Sequence, residues 1–85
     1  MSTLERLKTM QDEEIQNWLR KIGTDNAPAL VIALLGADSQ VVACVTRNMA
    51  RYARDTLMRE LVKARALDIN PRVINQKAAE LEKLF

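Results

Sequence analysis

The sequence predicts an all-α chain, a bundle of five to six short helices. Three observations carry that reading. Only two glycines and two prolines interrupt 85 residues dominated by Ala, Leu, Met, Glu, Lys, Arg and Gln, the strong helix formers. Apolar residues recur at i, i+3, i+4 and i+7, the spacing of one helical face. No stretch alternates apolar and polar residues between turn signals, as paired strands do. With 48% apolar residues the chain can pack a core, but a chain this short buries a modest share of its surface. One domain over 1–85 is expected, tightly packed or helped by a partner.

In order along the chain, residues 2–10 can form a short helix that presents Leu4 and Leu7, with Ser2 or Thr3 as its cap. The first strongly patterned helix is 12–22: Ile15, Trp18, Leu19 and Ile22 share a face, and Asp12, Glu13 and Glu14 load the turn where the helix dipole favours acids. Lys21 and Gly23 mark its end. Thr24 or Asp25 can cap a second helix with Pro28 in its first turn. Its apolar run, 29–35, reads as the most buried helix, with β-branched Val31 and Ile32 leaving a strand as the minority reading. Gly36 closes it, and Asp38 or Ser39 opens a helix carrying Val41, Val42, Cys44 and Val45. Asn48 reads as a break and a cap, after which the longest amphipathic run extends to about Ala66. Asp68, Ile69, Asn70 and Pro71 form a turn and helix start, and a last helix with Ile74, Ala78, Leu81 and Phe85 on its apolar side reaches Phe85.

Composition removes most chemistry. The chain has no histidine and one cysteine, Cys44, so Cys/His metal sites, Cys–His catalysis and paired-thiol redox work all lack parts. The acids are not spaced as a pair for acid–base work, and the glycines and lysine of a phosphate-cradling loop are missing around Gly36. Cys44 among valines and Trp18 beside Ile15 and Leu19 read as core. The expectation is a chain with no enzymatic activity, cofactor or metal. Glu5, Arg6 and Lys8 exclude a signal peptide at the start, no apolar run approaches the roughly 20 residues of a membrane span, and the cytoplasm is the default location.

Charge is the most informative remaining feature. The total is +2, but residues 47–72 hold seven basic and three acidic side chains. On a helix through this run, Met49, Tyr52, Ala53, Leu57, Leu61 and Ala64 cluster on one side, with Tyr52 at its edge, its ring expected to pack. Arg51, Arg54 and Arg65 lie opposite, together with Met58 and Val62. Arginine stems over exposed methyl and thioether groups suit a protein contact. The plain alternative is a solvated face, held by Arg51–Asp55 and Asp55–Arg59 pairs at i, i+4. A further alternative is a helical DNA-binding domain using the basic helix 47–65. Against it stand the near-neutral total charge, Asp55 and Glu60 within the run, and few side chains able to read base edges. The residues expected at a protein contact are Arg51, Arg54, Met58, Val62 and Arg65, with Leu35 as an outside candidate if its side chain is exposed.

Glu14-Ile15-Gln16, Leu19-Arg20, Ala33-Leu34, Gly36-Ala37, Arg47-Asn48-Met49, Ala53 and Leu57 stand in an order and at a spacing that resemble one family. It is the C-terminal, stator-facing domain of the flagellar motor switch protein, and the likeness covers residues 12–80. The resemblance implies a compact armadillo-like helical fold, bacterial and cytoplasmic, at the flagellar basal body. It implies no enzymatic activity and, as partners, switch-complex subunits or further copies of the chain. Several family positions are rewritten: Leu35 stands for a lysine, Ala50 for a serine and Tyr52 for an arginine. Arg59-Glu60 stands for an acidic pair, and the family's Gly-Pro-Val-Arg turn is absent, its arginine falling near Asp68. The resemblance therefore implies a divergent rotor component or scaffold whose partner differs.

Overall fold

The computed structural model describes residues 3–85, so Ser2 as a cap lies outside the described residues. A 3₁₀ helix, η1 (Thr3–Thr9), precedes five α-helices: α1 (Asp12–Ile22), α2 (Ala27–Leu34), α3 (Ser39–Arg47), α4 (Arg51–Arg65) and α5 (Pro71–Glu82). No strand occurs among the described residues, and Val31 and Ile32 are helical, against the minority reading.

Local chemistry sets the boundaries. The Gln11 N–H donates to Glu14 Oε1 at 3.1 Å, satisfying a donor that α1 leaves unpaired at its start. Gly23 ends α1 at φ 64°, a conformation that costs other residues a Cβ clash. Thr24 and Asp25 do not cap α2. The turn after Gly23 continues through them, with the Ala27 N–H donating to Thr24 O at 3.3 Å, and Asn26 takes the cap position without a side-chain bond. Asp38 caps α3 as expected, its Oδ1 accepting from the Val41 N–H at 2.9 Å. Asn48 closes α3 instead of opening α4, because its amide turns back to Cys44 O at 2.8 Å; Ala50 leads into α4. Asn70 caps α5 through the Arg72 N–H, and Pro71 occupies the first helical position. The last helix stops at Glu82 and not at Phe85. The final turn carries the Phe85 ring to Trp18, with centroids 5.0 Å apart.

All six elements feed one hydrophobic cluster. Leu4, Leu7, Ile15, Leu34, Val41, Val45 and Leu61 are fully buried, and Trp18 is 1% exposed, its Nε1–H donating to Leu81 O at 2.9 Å. The most extensive seam joins α2 to α5. It continues past α2 to Gly36, where a Cβ would lie 2.8 Å from Ile74 Cγ2. Cys44 is a free thiol, half-buried at the margin of this core. No helix is long and apolar enough to cross a membrane among the described residues.

Two acids at helix starts tie separate elements together. Asp12 Oδ1 accepts from Asn48 Nδ2 at 3.1 Å and from Arg47 Nη2 at 2.9 Å, and Asp38 Oδ2 accepts from Lys8 Nζ at 2.6 Å. These bonds hold both carboxyls below their ordinary value of 3.8, Asp12 chiefly through Asn48 and Asp38 chiefly through Lys8. A carboxyl depressed by folding adds stability above its unfolded value and loses it as pH falls through the folded one. The melting temperature is therefore expected to drop below about pH 4. The Asp12→Asn/Asp38→Asn double variant is expected to show a shallower drop in the same circular-dichroism titration. Parallel acid limbs would contradict this.

Candidate protein interface

The apolar side of α4 turns inward at Leu57, Leu61 and Ala64, held chiefly by α2. Helical geometry then sends Arg51, Arg54, Met58, Val62 and Arg65 outward, and all five are exposed, Met58 at 41% and Val62 at 65%. The i, i+4 pairs offered as the plain explanation of this face do not form. Arg51, Arg54, Arg59 and Arg65 make no ion pair among the described residues, and the one such bond on α4 joins Lys63 to Glu60 at 3.5 Å. Four guanidinium groups thus stand in solvent around two apolar side chains.

Three expectations need correction. The basic run 47–65 is not one helix: Arg47 belongs to α3 and is bound to Asp12, which removes it from the α4 face. Tyr52 is not packed as expected but is 82% exposed, because at 100° per residue it lies about 120° or more around α4 from Leu57, Leu61 and Ala64. Leu35 is half-buried and packs against the core just beyond α2, so the exposure required of it as a contact is only partial.

Two hollows flank α4. A trough of about 380 Å³ separates α4 from α3 and is lined by Val42, Ala43 and Thr46 on one wall and by Met58 and Arg65 on the other. On the opposite flank a groove of about 720 Å³ runs between α1, α2 and α4 over Leu19, Val31, Met49 and Ala53, with Tyr52 at its rim. The sequence offered no sign of this groove. Leu19, Val31 and Met49 lie on helical faces that read as core, and only the separation of the helices leaves them lining a hollow. Sequence reasoning also missed the Asp12–Arg47–Asn48 cluster, since its members lie 35 and 36 positions apart. Gln16 extends it by donating through Nε2 to Asn48 Oδ1 at 3.1 Å.

The fold is an all-helical bundle whose α4 presents a mixed arginine and apolar face to solvent. The chain belongs to the FliG C-terminal domain family, whose model matches residues 1–82. This family is a structural part of the flagellar motor switch and acts through protein contacts. Searches of curated proteins and of solved structures found no match.

Proposed function

We propose that the chain is a single-domain flagellar rotor or scaffold module of divergent type, acting at the cytoplasmic face of the basal body. In this reading it docks an acidic protein surface on the outer face of α4. The observation that carries the reading is the set of arginines without ion-pair partners among the described residues, Arg51, Arg54, Arg59 and Arg65, around exposed Met58 and Val62. A partner with carboxylates around one or two apolar side chains matches that pattern in both charge and hydrophobicity. Switch-complex subunits and further copies of the chain are the candidate partners, and no catalytic step, cofactor or metal is invoked.

The test is affinity capture from the native cytoplasm, with wild type and the Met58→Ser/Val62→Ser variant compared by mass spectrometry. Both side chains are exposed, so the variant is expected to keep wild-type circular dichroism while its recovery of switch components falls by about ten-fold or more. Equal recovery by the two proteins would overturn the assignment of the face. Salt-sensitive retention of the chain on duplex DNA would favour the DNA-binding alternative instead.

A further inference from the structure

We propose that η1 is a strap that sets the α3 wall of the trough beside α4, so that its release alters the binding face. The inference rests on the reading of the α4 face given above and adds a means of regulating it. The two walls are anchored differently. α4 packs on α2, whereas α3 packs mainly on η1, with a smaller seam to α1. The position of α3 relative to α4 therefore depends on η1, which itself packs on α5 and buries Leu4 and Leu7 in the shared core.

That segment is the least regular of the six elements, the one 3₁₀ helix among the described residues. A seven-residue 3₁₀ run is longer than such helices usually are, and its hydrogen-bond geometry is poorer than that of an α-helix. It is seated by buried Leu4 and Leu7 and packs on α5 as well as α3, while its ties at the surface are charged: Lys8 Nζ lies 2.6 Å from both Glu5 and Asp38, and the Arg6 guanidinium sits 5.5 Å from the Phe85 ring centroid. Ties of this kind weaken as salt screens them.

Asp38 is the joint. One of its oxygens accepts from Lys8 on the strap and the other from the Val41 N–H at the start of α3. Its neighbours Ala37 and Ser39 line the trough with Met58 and Arg65. A pull or a release at Lys8 is thus delivered to the first turn of α3 and to the trough wall, while α4 stays seated on α2.

The test is residue-resolved hydrogen exchange with a methyl-labelled Met58 probe, on wild type, Lys8→Gln and Asp38→Asn. Asparagine retains the capping oxygen, so the second variant removes the charged tie while keeping the cap. In both variants the amides of η1 and the first turns of α3 are expected to exchange about ten-fold faster, those of α2 and α5 to stay unchanged, and the Met58 methyl resonance to move. High salt is expected to act in the same direction on wild type and less on Lys8→Gln. Faster exchange in η1 with α3 and Met58 unchanged would overturn the proposal, as would no change in η1. If both variants unfold, the wild-type salt series decides by the same readout. Met58→Ser/Val62→Ser is expected to leave η1 and α3 exchange as in wild type, so a failed α4 interface and a failed strap give different results.

Discussion

Trp18→Ala is expected to cost about 3–5 kcal/mol, the range for removing a large aromatic side chain from a core. A chain of this length holds roughly 4–13 kcal/mol of total stability, so the variant should be largely unfolded on mild warming or at low urea. The size follows from what the indole joins. It is 1% exposed, lies against Phe85, and donates Nε1–H to Leu81 O, linking α1 to the end of α5. Trp18→Phe separates the contributions. It keeps most of the ring contact and loses the hydrogen bond, but Leu81 O still accepts from the Leu84 N–H at 3.1 Å and is not left orphaned. Its cost is therefore expected to be about 1–2 kcal/mol, near that of one hydrogen bond plus a small loss of packing. Urea unfolding followed by far-UV circular dichroism measures both. A Trp18→Ala midpoint within error of wild type would mean that α1 and α5 do not depend on this contact.

Gly36→Ala is expected to cost about 1–3 kcal/mol by overpacking the α2–α5 seam. The added Cβ would lie 2.8 Å from Ile74 Cγ2, closer than carbon atoms sit at contact. Ile74 cannot swing clear cheaply, because its branched Cβ leaves one favoured χ1 in a helix. α5 must then shift against α2, and that seam is the largest in the fold. The same substitution in an Ile74→Ala background should cost less, since the clashing methyl is gone, and a double-mutant cycle measures the coupling directly. Additive costs would show that the strain lies elsewhere.

The candidate face was partly legible from the sequence. Arg51, Arg54, Met58, Val62 and Arg65 share one side of α4 by arithmetic at 100° per residue, and all five are exposed. The break at Asn48 is legible in the sequence, whereas the tie that turns Arg47 to Asp12 is not, because it joins residues 35 positions apart. Tyr52 was misplaced because it lies about 120° or more around α4 from the inward-facing Leu57, Leu61 and Ala64.

The sequence by itself determined the helices and most of their ends. Spacing of apolar residues, Gly23, Asp38, Asn70 and Pro71 are local signals, written in residues at most a few positions apart. It also placed Ile15, Trp18 and Ile22 of α1 and Leu57, Leu61 and Ala64 of α4 inward and, through the order of its motifs, pointed to the family. Tertiary structure decided what local signals cannot encode. The Trp18–Leu81 bond spans 63 positions, and the Lys8–Asp38 tie spans 30. The close approach of Gly36 to Ile74, the groove over Leu19 and Val31, and the lack of ion pairs for the α4 arginines among the described residues likewise depend on how helices sit in space. The physical reason is range: caps and periodicity act within one or two turns of a helix, whereas packing, cross-element hydrogen bonds and open hollows exist only once separate helices meet.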